Sequence, residues 1–197
     1  DFYNYGTLTT NTFNGGGSTI INHKKITVDH FGNLNDADAS NIIIENACWF
    51  ECKNAMGAKS IIVGNNSYLH AGSLANQGTI TLGNDAILDI TGDFTPNGTN
   101  INGPTSGDHA FLQLGNITTQ WNAVNNITGK IYVSLDNQTN EKYIDNMLSK
   151  GKKAQGPTLI QKGQAKVNFD ASECTVGYNP SKPTPVEDDH KTYTYAF

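Results

Sequence analysis

One corner, written several times over, constrains this chain more than any other feature. Ile61-Ile-Val-Gly-Asn65 and Ile80-Thr-Leu-Gly-Asn84 share the shape apolar–x–apolar–Gly–Asn. Leu112-Gln-Leu-Gly-Asn116 repeats it, and Ile42-Ile-Ile-Glu-Asn46 is a looser copy. Reading onward from Asn4, Asn22, Asn46, Asn65 and Asn84, which lie 18, 24, 19 and 19 residues apart, the fourth and sixth positions are apolar or small in every copy. The fifth is Thr9, Thr27, Glu51, His70 or Asp89. Such strict alternation marks a half-buried strand. Strand chemistry repeating at about 20 residues predicts a β-solenoid. The fold class is therefore all-β, a single-stranded β-solenoid read as a right-handed parallel β-helix. No rung can bury its own apolar face, so rungs about 4.8 Å apart must share one core. Leu8, Ile26, Phe50, Leu69 and Leu88 are expected in one inward column, and Val28, Cys52, Ala71 and Ile90 in the next. The strand before the corner is expected to add Ile42/Ile44, Ile61/Val63, Ile80/Leu82 and Leu112/Leu114. The recurrent Asn is expected to hold the corner, bonding its own backbone or its equal in the next rung.

The composition agrees with many sharp corners. The chain has 20 Gly and 25 Asn in 197 residues, and both types tolerate positive φ. Net charge is −5 and there is no Arg, which excludes bidentate phosphate or carboxylate clamps. The 13 Lys form no basic stripe, so nucleic acid is excluded as a partner. No apolar run approaches the roughly 20 residues that span a bilayer. Of the three Cys, Cys48 and Cys52 would lie about 13 Å apart on one strand, too far for a disulfide. They read as buried apolar thiols, with Cys174 left over.

Three segments are expected. Residues 1–137 form the solenoid, with a long Gly-, Pro- and Asn-rich loop at 92–109. Residues 138–170 carry a short helix, from Tyr143, Ile144, Met147 and Leu148 at helical spacing, and the last strands. The helix would cap a solenoid end that otherwise exposes unpaired edges. Residues 171–197 hold Cys174 and a Pro-rich acidic linker running toward a following domain. The chain opens in mid-strand, as a piece of a longer or processed protein would.

The residues suggest few chemistries. No nucleophile–base motif, phosphate loop or His-Glu-x-x-His is present. The run Asn33–Asn41 fails as a calcium loop, because its sixth and twelfth positions from Asp36 are Asn41 and Ala47. No metal or cofactor is expected. Two outward groups remain. Glu51, His70 and Asp89 share a column, which sets the two carboxylates about 9.6 Å apart at two rung steps, a separation that can flank a glycosidic bond. Trp49 and Tyr68 share another column and, if exposed, would form a ring platform for a sugar or a protein.

The segments "YNYGTLTT", "ANQGTITLGN" and "ASECTVGYNP" resemble the N-terminal β-repeat region of LruC-domain proteins. Those are secreted or lipid-anchored surface proteins of Bacteroides-type gut bacteria. The resemblance covers most of the chain and offers no catalytic residues to carry over. It implies an extracellular location at the bacterial surface and an adhesion-like or matrix-binding role. The expected function is a non-enzymatic adhesion or scaffold module that binds a glycan or a host or matrix protein through a solenoid face or the inserted loop. The alternative is a carbohydrate-active β-helix that binds or cleaves a polysaccharide.

Overall fold

A strand of three to five residues, a corner and a strand of five to ten residues recur along the chain. The computed structural model of the chain describes residues 1–32, 39–117, 124–135, 158–160, 166–170 and 192–196. The short strands β1 (Phe2–Asn4), β3 (Thr19–Asn22), β5 (Asn41–Ile44), β7 (Ile61–Val63), β9 (Thr79–Leu82), β11 (Thr99–Asn102) and β13 (Val124–Thr128) lie side by side in one parallel sheet, sheet A. Sheet B is also parallel. It holds β2 (Thr7–Phe13), β4 (Lys25–Phe31), β6 (Trp49–Ala58), β8 (Tyr68–Asn76), β10 (Ile87–Pro96), β12 (Ala110–Ile117) and β14 (Ile131–Leu135), with β15 (Thr158–Ile160) beside β14. The chain alternates between the sheets at every rung, which is a β-solenoid. A separate antiparallel pair joins β16 (Lys166–Asp170) to β17 (Thr192–Ala196). Among the described residues there is no helix. The expected helical cap, Cys174 and the Pro-rich linker lie outside the described residues.

The expected columns form. Leu8, Ile26, Phe50, Leu69 and Leu88 pair in successive register, as do Cys52, Ala71 and Ile90 after Val28. Ile42, Ile61 and Ile80 stack in sheet A beside Ile44, Val63 and Leu82, all within about 1% of full burial. A further column was not foreseen. Phe13, Phe31, Met56, Leu74 and Phe94 align beyond a bulge in the sheet B strands, and Phe31 meets Phe13 and Phe50 edge-on at 5.5 and 5.4 Å. Stacking identical apolar positions removes each from water against its neighbours, at about 25 cal/mol per Å².

Three expectations are corrected. Leu112 and Leu114 pair with Leu88 and Ile90, so they belong to sheet B and not to the column of Ile80 and Leu82. Gly115 and Asn116 accordingly lie inside β12 and make no corner. Both sheets alternate with period 2, so the local string cannot say which sheet it joins. Second, residues 92–109 are not one long loop. They contain the end of β10 and all of β11, leaving only residues 103–109 as an enlarged corner. The Pro96-Asn97-Gly98 signal that reads as loop is a tight return turn, with Gly98 at φ 68°. Third, the Asn residues form two ladders, not one. Asn22 is in register with Ile44, so Asn4 and Asn22 face inward and are buried, Asn4 Nδ2 donating to Asn22 Oδ1 at 2.7 Å. Asn46, Asn65 and Asn84 sit two residues later, in a wider corner. There Asn46 Oδ1 accepts the Asn65 backbone N–H and Asn65 Oδ1 accepts that of Asn84, both at 2.8 Å. The residue that follows takes positive φ: Ala47, Asn66 and Asp85 at 58°, 52° and 53°.

Candidate functional site

A two-sheet solenoid has two outer faces, and every residue singled out from the sequence lies on that of sheet B. Trp49, Tyr68 and Ile87 are in register on β6, β8 and β10. The Trp49 and Tyr68 rings meet at 4.1 Å with planes 34° apart, and Lys25 Nζ lies 5.7 Å from the Trp49 ring centre. The pair is therefore real but not an open platform, because Tyr68 is buried and Ile87 fully so. Burial, with the charges of Asp89 and Glu51 behind it, pushes the Tyr68 hydroxyl far above its ordinary range, so it stays protonated.

Glu51, His70, Asp89 and Gln113 form the next outward column, again in register. His70 Nδ1 and Asp89 Oδ2 are 3.1 Å apart, and Asp89 and Gln113 are buried. The buried Asp89 carboxylate thus holds the His70 ring through Nδ1. The column thus brings His70 and Asp89 together and leaves Glu51 a rung away on the other side of His70, half-buried. No group of three or more His, Cys, Asp or Glu that could hold a metal occurs among the described residues. Cys48 and Cys52 are both buried.

The outer face of sheet A differs in kind. Alternation in β1, β3, β5, β7, β9 and β11 turns two columns outward. One runs Tyr3, Ile21, Ile43, Ile62, Thr81, Asn102. The other includes Thr19, Asn41, Thr79 and Asn100, with Ser60 joined to Asn41 through a 2.6 Å hydrogen bond. No position in either column is charged, although the chain is 16% charged and surfaces of soluble domains run to about a quarter or more. Tyr3 and Ile62 are 49% and 44% exposed, so apolar surface is open at both ends of a four-rung stripe. At the Tyr3 end the rings of Tyr5 and His23 stack at 4.6 Å, and Tyr3 lies parallel to both within about 11°. This face was missed from sequence, yet a signal existed. In Ile42-Ile-Ile44 and Ile61-Ile-Val63 all three residues are apolar, and period 2 obliges the middle one to point out.

The chain gives no significant match to any protein-family model, curated protein or solved structure. No helix among the described residues is long and apolar enough to cross a membrane.

Proposed function

We propose that the chain is a non-enzymatic attachment module of an extracellular, bacterial-surface protein, which presents the outer face of sheet A to an extended partner, a glycan or a matrix protein. One observation carries this: of the two outer faces, that of sheet A keeps an uncharged apolar stripe across four rungs, Tyr3 to Ile62, exposed at its two ends and half-buried at Ile21 and Ile43 between them. Exposed apolar area concentrated on one face is the usual mark of an interaction surface. The stacked rungs hold the stripe flat, so its side chains need little ordering on contact. The inserted loop contributes less, since only residues 103–109 leave the strands.

The test is attachment of beads coated with the protein to surfaces bearing bacterial or host glycans and matrix proteins. Wild type should hold and Ile43→Lys/Ile62→Lys should not. Both positions face outward, so the core stays intact and the variant should melt like wild type. Equal attachment of the variant would remove sheet A from the account.

A second reading keeps one specific support. The His70–Asp89 contact, with Glu51 on the next rung, is the arrangement a base held by a carboxylate requires. Release of reducing ends from a polysaccharide, abolished in His70→Ala, would make the chain carbohydrate-active and overturn the first reading.

A further inference from the structure

Resting on the attachment reading above, we propose that the ligand of sheet A is a neutral polysaccharide, lying along the solenoid axis with its sugar rings over the apolar column and its hydroxyls on the column beside it. The two columns differ in chemistry but run in parallel, two residues apart along each strand, or about 6.6 Å. The apolar column offers Ile side chains and ends on the Tyr3 ring. Its neighbour, from Thr19 through Asn41 to Thr79, offers only hydroxyls and amides. Each of those groups can both donate and accept. A pyranose has the same division, with C–H groups on its ring faces and hydroxyls around its rim.

Charge decides between ligand classes. The protein carries −5 overall and no Arg, and the face itself carries no charge. An acidic polysaccharide would meet net repulsion and no cation on this face to offset it. A nucleic acid is excluded by the same argument. A neutral chain meets neither repulsion nor the desolvation cost of an unpaired ion. Repetition suits it as well: rungs step by about 4.8 Å, so a polymer with its own repeat can gain a contact at each of several rungs.

Affinity gel electrophoresis tests this, using neutral hydroxyethylcellulose, glucomannan and dextran beside acidic alginate and heparin. At least one neutral polymer should retard the protein, equally at low and high ionic strength, because no screened charge is involved. Ile43→Lys/Ile62→Lys should bind that polymer at least about tenfold more weakly. Ile62→Thr, which copies Thr81 of the next rung and so cannot disturb the fold, should show a smaller loss in the same direction. Retardation by acidic polymers alone, salt-sensitive retardation, or unchanged binding in both variants would overturn the proposal. So would failure with every glycan combined with Ile62-dependent attachment to a matrix protein, and that outcome leaves the attachment reading standing. Self-association abolished by Ile62→Lys would instead assign the face to a second copy. No attachment to glycan or protein would overturn both readings.

Discussion

The same amino acid carries two different duties here, and its neighbours decide which. Asn22 occupies an inward position that the next rungs fill with Ile44, Val63 and Leu82. A buried amide is costly unless its donors and acceptor are used. Asn22 Nδ2 donates to the Trp49 carbonyl at 2.9 Å, and its Oδ1 accepts from Asn4 and from the Lys24 N–H. Three rungs are thereby tied by one side chain. Asn76 serves the opposite corner in the same way, accepting from the Gly78 N–H at 3.1 Å as Asn4 does from Gly6 at 3.3 Å. That is why "NYGT" and "NQGT" look alike: both are a buried Asn turning the chain over a glycine. Cys52 shows the converse case, a group buried without use for its charge. Burial, opposed in part by nearby backbone donors, pushes its thiol up from about 9 to about 11. Between those values the folded chain keeps a proton that the unfolded chain releases, so stability is full below pH 9 and falls as pH rises toward 11. Two pH units correspond to roughly 2–3 kcal/mol at most. Denaturant midpoints measured from pH 8 to 10.5 should fall more steeply for wild type than for Cys52→Ala, which copies Ala71 of the next rung. Parallel curves would show that the thiol is not held protonated.

The long strands of sheet B bend, and the bend has a sequence cause. Register shifts between Cys52 and Ala55 and between Ile90 and Phe94 mark bulges at one height in successive rungs. Gly72, Gly92 and Gly115 stack there. A Cβ on Gly92 would run into the Gly72 carbonyl oxygen, and one on Gly115 into that of Gly92. The obstacle is backbone of the rung below, which cannot swing aside as a side chain could. Gly92→Ala should therefore destabilise by about 1–3 kcal/mol, the range of overpacking in a tight interior. A thermal melt checks it, with Gly6→Ala as control, since nothing lies within 4 Å of a Cβ at Gly6. Equal melting of the two would refute the stacked bend. Alternation made the individual strands readable, because inward Ile, Leu and Val recur at fixed offsets from each Asn. Corner length was not readable. The corner spans Tyr5–Gly6 in the first rung, Glu45–Cys48 in the third and Gly103–His109 in the sixth. Such differences cost little free energy, so the sequence changes them without leaving a periodic trace.

Which outer face is open depends on the whole molecule, and local pattern is silent on that. Trp49, Tyr68, Glu51, His70 and Asp89 were visible as outward residues because they alternate with the core, and they do stand in two registered columns. The burial of Tyr68 and Asp89 was not visible, since period 2 separates inside from outside but not covered from open. The stripe on sheet A was hidden for the opposite reason: its isoleucines read as core. Stacking has one further consequence. Each rung contacts only its neighbours, so stability should depend on position along the axis. Rung one has a neighbour on one side only among the described residues, and β2 is largely exposed or half-buried along its length. Phe2 is 37% exposed, whereas its partners on the column, Ile20, Ile42 and Ile61, are fully buried. Edge amides of β1 and β2 that face no adjoining strand among the described residues lack the bonds that hold β8 on both sides. Fraying from this end needs only one interface to part, while opening β8 needs two and uncovers Leu69, Leu74 and the Phe94 column. Hydrogen exchange followed by mass spectrometry should therefore find β1 and β2 exchanging at least about a hundredfold faster than β8, a difference near 2.7 kcal/mol in opening free energy. Protection should rise from β2 through β4 to β6. Uniform protection along the axis would mean that the solenoid opens only as a unit, and would contradict additive stacking of rungs.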